Sequence, residues 1–119
     1  MYIQGNIVSV PFPFTNLSEA KLRPAIVVSN NLIDSTGDVI IVMVTSQTKT
    51  DGLNIPIGIN DSDIDLPKQS YIRCHRLATI DVNIIERKIG SLSEEYLPVV
   101  LNKIKSIFDV NPALFLEQV

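Results

Sequence analysis

The run Val39-Ile40-Ile41-Val42-Met43-Val44 constrains the fold most: it is apolar throughout, rich in β-branched residues and of strand length. With no polar residue in it to meet water, the run belongs at the centre of a sheet. A second such run, Ala25-Ile26-Val27-Val28, follows Arg23-Pro24. Proline cannot donate to a ladder, so Pro24 has to lie at a strand's first residue, an edge or a bulge, and Arg23 is thereby held at a rim. A guanidinium fixed at a rim is suited to gripping a phosphate or carboxylate through two parallel hydrogen bonds.

Further strands take their places around these two. Ile7-Val8-Ser9-Val10 reads as a first strand, ended by Pro11-Phe12-Pro13-Phe14, whose two rings are expected to plug one end of a small barrel. Thr15 to Leu22 is a polar connection long enough to be a binding loop. Asn30 to Asp38 has the chemistry of a short helical turn, and Leu53 to Ile57, with Pro56 inside it, fits an edge strand. From Gln69 to Ala78 strict alternation puts Tyr71, Arg73, His75 and Leu77 on one face and Ile72, Cys74, Arg76 and Ala78 on the other. Lys88 to Leu92 gives a last short strand. Leu97, Val100, Leu101, Ile104, Ile107 and Phe108 then recur as one face of an amphipathic helix. Its start signal is Ser91 with Glu94, or Ser93 as cap, and Pro98 limits how far upstream the regular helix reaches. About six short strands closed by one C-terminal helix describe a mainly β (α+β) chain, a small, strongly bent sheet or barrel.

The 119 residues suit one domain with a core over about residues 5–108 and a short tail at 109–119, where Pro112 suits the first position of a further helical turn. A hydrophobic fraction of 45% is high for a monomer of this size and points toward a homodimer. The net charge of -3 excludes broad attraction to a polyanion, so any nucleic-acid contact must be local. A single cysteine, Cys74, forms no intrachain disulfide and suits a reducing compartment. With no secretory leader pattern and no membrane-spanning run, the expected location is the cytoplasm.

Asp61, Asp63 and Asp65 imitate the opening of a calcium loop, but Leu66 stands where glycine is needed and Ile72 where a bidentate glutamate is needed. That stretch is expected to be a solvated loop. One histidine and one cysteine make no closed zinc site, and no phosphate-cradling glycine loop or nucleophile elbow is present, so neither a metal nor a cofactor is expected.

Three segments carry chemistry: Arg23 with its preceding loop, Thr45-Ser46-Gln47 after the central strand, and Arg73 with His75. Read in order, Gly5-Asn6-Ile7-Val8, Pro11-Phe12-Pro13-Phe14-Thr15, Arg23-Pro24-Ala25-Ile26-Val27-Val28-Ser29, Thr45-Ser46-Gln47, Arg73-Cys74-His75 and Ile89-Gly90-Ser91-Leu92 resemble the MazF/PemK/Kid family of toxin endoribonucleases. The resemblance implies an SH3-like barrel that forms a homodimer, cleaves single-stranded RNA without metal and is silenced by an antitoxin laid across the same groove. It carries a catalytic role to Arg23, Thr45 and Arg73 and matches Ser46 to the family's Thr-Ser pair; Ser46, Gln47, Lys21, Thr15 and Lys49 are the expected RNA contacts. His75 stands where some members have an aspartate proposed as the base, and the loop Asn16-Leu17-Ser18-Glu19-Ala20-Lys21 lacks the family's usual glycine. Histidine titrates near neutrality, so His75 can still shuttle a proton. Rival readings are a non-catalytic barrel that binds and inhibits or regulates a protein partner, and a structural domain whose Arg23 and Arg73 pair with Glu19 or Asp81. Cys74 is expected to serve packing.

Overall fold

The structure, a computed structural model, describes residues 1–13, 21–111 and 113. Among them six strands form one antiparallel sheet: β1 (Asn6–Phe12), β2 (Lys21–Val27), β3 (Asp38–Thr45), β4 (Asn54–Ile57), β5 (Ser70–Asp81) and β6 (Arg87–Ser91). Helix α1 (Tyr96–Ile107) follows. The spatial order is β4-β5-β3-β2-β1-β6, so the apolar run in β3 is flanked on both sides, as its composition requires, and Pro56 falls in an edge strand.

Period two divides the sheet residues into two cores. Ile7, Ile26, Val42, Val44, Ile72 and Cys74 face α1, which adds Val100 and Ile104. Val8, Val10, Ala25, Val27, Val39, Ile41, Met43 and Ile80 form a second cluster on the opposite face. The two sheet edges are drawn toward each other by the loop after β4. Ser62 bridges Leu92, the Asp63 amide donates to the Ser91 carbonyl (3.1 Å), and the Ser91 amide donates to Asp63 Oδ1 (2.8 Å). Gly90 allows this approach, because a Cβ there would lie 2.6 Å from Ile64 Cγ2. The acidic stretch expected only to be solvated therefore also helps curl the sheet, with Asp61 accepting from the Gly58 amide at 2.6 Å.

Several boundaries differ from the reading of the sequence. Strand β1 does not stop at Pro11; it continues to Phe12, pairing Pro11 with Leu22 and Phe12 with Lys21. The β6 pairing covers only Asn6–Ser9, so Pro11 lies where β1 has one neighbour and the missing N–H is tolerated. Pro24 falls inside β2 rather than at its start, opposite Ser9, just before the β3 pairing begins at Ala25. Phe12 does not plug a barrel end but packs at the margin of the second cluster, and Phe14 lies outside the described residues. The helix is preceded by Glu95, which makes no side-chain cap bond, and the expected cap Ser93 acts from the turn before it, its Oγ accepting from the Tyr96 amide at 3.2 Å. Ile107 and Phe108, expected on the buried face, are exposed, because the packed face ends at Ile104 and the helix at Ile107. Apart from Ala113, the 112–119 part of the tail lies outside the described residues. Among those described, no helix is long and apolar enough to cross a membrane.

Candidate active site

The second cluster is built from parallel rows of side chains that leave the core as they near one end of the sheet. Period two carries Val27-Ala25 onward to Arg23, Val39-Ile41-Met43 to Thr45, and Val8-Val10 to Phe12. Ala25 pairs with Met43, so continuing the antiparallel register by two places brings Arg23 opposite Thr45. Residues distant in the chain thus meet because three apolar rows run out together. There a cleft of about 410 Å³ opens, lined by Arg23, Thr45, Arg73 and His75 along with Gln47 and Lys49. All four residues expected to be catalytic share it. Of the expected RNA contacts, Ser46 and Lys21 are exposed but do not line it, and Thr15 lies outside the described residues.

Strand β5 reaches the cleft through a break in its pairing. Val42 pairs with Leu77 and Val44 with Ile72, leaving Met43 alone opposite the stretch from Arg73 to Arg76. Such a bulge re-aims side chains and is common beside active sites. Strict alternation, which separated Arg76 from His75, fails here: Arg73, His75 and Arg76 all line the cleft. Beyond the bulge the phase is reversed, with Leu77 packed against the helix-side cluster and Ala78 and Ile80 in the other. Cys74 is fully buried, as expected, and burial pushes its thiol up from its ordinary value.

Arg73 has a partner that neither Glu19 nor Asp81 provides. Its Nη1 donates to Asp51 Oδ1 (2.8 Å) and Asn54 Oδ1 (3.0 Å), and its Nη2 to Asp51 Oδ2 (2.6 Å). Asp81 instead caps a helical turn by accepting from the Asn83 amide, and Glu19 lies outside the described residues. The hydrogen-bonded Arg73, helped by the Leu53 N–H, holds the Asp51 carboxyl well below the usual carboxylate range. Asp51 in turn raises the Arg73 value. The network continues from Asn54, whose Nδ2 donates to the Gln47 carbonyl (3.0 Å), to the Gln47 amide, which donates to Thr45 Oγ1 (3.1 Å). Asp51 and Asn54 therefore couple Arg73 to Thr45, a role that no local motif reveals.

Phe12 completes the cleft. The Arg23 Cζ lies 6.0 Å and the Arg76 Cζ 5.9 Å from its ring centroid, close enough for cation–π attraction. Arg76 was missed in the sequence, although a guanidinium in the otherwise apolar row of Ile72, Cys74, Ala78 and Ile80 was a signal that alternation must break. Among the described residues no group of acidic, histidine or cysteine side chains is arranged to hold a metal. An acidic chain thus presents Arg23, Lys49 and Arg76 at one cleft, with Arg73 matched by Asp51.

The family model of PemK-like, MazF-like toxins of type II toxin-antitoxin systems matches residues 3–108. Among curated proteins, none matches the chain in sequence. Solved structures share its fold at low identity. MazF from Deinococcus radiodurans superposes with a TM-score of 0.70 at 19% identity, covering 90% of this chain and 96% of that one. The Mycobacterium tuberculosis toxin MazF-mt6 gives 0.69 at 20%, covering 89% and 98%. An endoribonuclease of a mycobacterial species, solved with its cognate antitoxin, gives 0.64 at 22%, covering 88% of each.

Proposed function

Because the chain belongs to the family of PemK-like, MazF-like toxins of type II toxin-antitoxin systems, we propose that it is an endoribonuclease acting on single-stranded RNA. The observation that carries this reading is one open cleft holding Arg23, Thr45, Arg73 and His75 together. The similar mycobacterial protein is itself an endoribonuclease.

The RNA supplies its own nucleophile. Its 2′-oxygen attacks the adjacent phosphorus while the bond from phosphorus to the 5′-oxygen breaks, giving a 2′,3′-cyclic phosphate and a 5′-hydroxyl. One proton leaves the 2′-hydroxyl and one reaches the departing 5′-oxygen. His75, exposed in the cleft, carries an imidazole whose ring nitrogens can accept and donate a proton. Arg23 offsets the charge gathering on the phosphorane oxygens, and the Thr45 hydroxyl, which accepts from the Gln47 amide, keeps its own hydrogen to donate to one of them. Arg73 fixes the far wall through Asp51 and Asn54. Gln47 and Lys49 line the path of the strand. A DNA strand, lacking the 2′-hydroxyl, survives.

In the same reading the toxin works in the cytoplasm as a homodimer and is neutralised by a cognate antitoxin that covers the cleft, as expected of a type II pair. Sedimentation of the purified chain with and without antitoxin reports on both associations.

The test is incubation with single-stranded RNA in excess chelator, beside the Arg23→Ala and His75→Ala variants. RNA cut only by the unaltered protein, with cyclic phosphate ends, is the expected result, and His75→Ala should slow cleavage by about 100-fold or more. Intact RNA with the unaltered protein refutes the enzyme; full activity in His75→Ala removes the histidine from the mechanism.

A further inference from the structure

Resting on the RNA-cleaving reading of this cleft, we infer that Arg76 and Arg23 together form its phosphate grip, and that Arg73 is not the second cation. Three arginines line the cleft, but their charges are not equally available. Arg73 gives both terminal nitrogens to the two oxygens of Asp51, one of them shared with Asn54, and its side chain is only 16% exposed. The Asp51 carboxyl stays ionised throughout the neutral range, so a phosphate approaching Arg73 meets a compensated pair.

Arg23 and Arg76 are different. Both are exposed, and among the described residues neither forms an ion pair with a carboxylate. Each guanidinium lies about one ring contact from Phe12, so the two are no farther apart than the sum of those two distances. The negative face of the ring attracts each cation, yet like charges gathered around one ring still repel. A polyanion relieves that repulsion, and each planar fork can bind a phosphate through two parallel bonds. Two arginines from different strands, β2 and the bulged part of β5, thus hold neighbouring phosphates of one RNA strand. The bulge has a chemical consequence: with strict alternation Arg76 would share the face of Cys74, away from the cleft.

Binding can be separated from cleavage with a single-stranded 2′-O-methyl RNA of mixed sequence, whose blocked 2′-oxygen cannot attack. Its affinity is measured by fluorescence anisotropy across a salt series for the unaltered protein, Arg76→Gln and Arg76→Lys. Losing one phosphate contact should lower the slope of log affinity against log salt by about 0.7 in Arg76→Gln. Arg76→Lys, which keeps the charge, should retain the slope while losing the bidentate geometry. An unchanged slope in Arg76→Gln overturns the proposal, as does a lysine variant whose slope falls like that of glutamine, or no binding by the unaltered protein. Cleavage of unmodified RNA is scored separately. A protein that shows the Arg76-dependent slope but leaves RNA intact retains the grip and loses the nuclease reading. One that cuts RNA while Arg76→Gln keeps the full slope retains the nuclease and loses the grip.

Discussion

Replacing Asp51 by alanine should slow RNA cleavage at saturation by about 10- to 100-fold while tightening the apparent affinity for RNA. The carboxylate supplies two of the three hydrogen bonds that hold the Arg73 guanidinium, at 2.8 and 2.6 Å, leaving Asn54 at 3.0 Å as the remaining tether. It also accepts from the Leu53 amide at 3.1 Å, which shapes the turn leading into β4. Without these bonds Asn54 is less firmly placed, and Asn54 carries the Gln47 carbonyl whose residue's amide meets Thr45 Oγ1. An ångström-scale displacement of a reacting group costs up to about 100-fold in rate, which sets the upper end of the expected loss. Affinity moves the other way. An uncompensated Arg73 adds one cation to the cleft and about 0.7 to the salt slope for single-stranded RNA, so KM should fall by a few-fold at low salt. Asp51→Asn, which keeps one neutral acceptor oxygen, should lie between the two. Initial rates on a fluorogenic single-stranded RNA in chelator give kcat and KM separately, with circular dichroism to confirm the fold. Wild-type kcat and KM in Asp51→Ala would refute the coupling of Arg73 to Thr45, and a raised KM would show that Asp51 does not mask the arginine.

The same pair makes a prediction about pH. Because the folded Asp51 value is depressed, its contribution to stability is fully present above the ordinary carboxylate value of 3.8 and is lost as pH falls through the lower folded value. The difference in urea midpoint between the unaltered protein and Asp51→Asn should therefore be constant from about pH 5 to 8 and shrink only in stronger acid; a difference that vanishes by pH 5 contradicts the pairing. Ile72→Ala empties a fully buried position beneath α1 and should cost about 2–5 kcal/mol in urea unfolding, with a loss below about 1 kcal/mol showing that the helix-side core is not packed as described. Gly90→Ala introduces a methyl 2.6 Å from Ile64 Cγ2 and 2.7 Å from Asp63 Oδ1, and should cost about 1–3 kcal/mol. Hydrogen exchange at the Ser91 amide, which donates to Asp63, should quicken in that variant; unchanged exchange and stability would mean that the edge contact does not close the sheet.

What could be read in the chain beforehand was whatever local pattern determines. The apolar run of β3, the alternation that sets Ile72 and Cys74 on one face, and the helical spacing of Val100 and Ile104 all hold in the structure. Each depends on the period of one element alone. The partner of Arg73 was not legible, because Asp51 is separated from it by 22 residues and meets it only through the pairing of β4 with β5. The bulge is the more instructive miss, since the sequence held a conflict that pattern alone did not resolve. Carried without a break from Ile72 and Cys74, period two would send Arg76, Ala78 and Ile80 into the cluster beneath α1. A guanidinium buried there with no carboxylate beside it would be far costlier than a local loss of ladder hydrogen bonds. Shifting register between Val42 and Val44 resolves the conflict: Leu77 takes the helix side, Ala78 and Ile80 join the second cluster, and Arg76 reaches solvent at the cleft. A charged residue interrupting an apolar row is thus evidence for where the row must break, and here the break delivers that charge to the cleft beside Arg23.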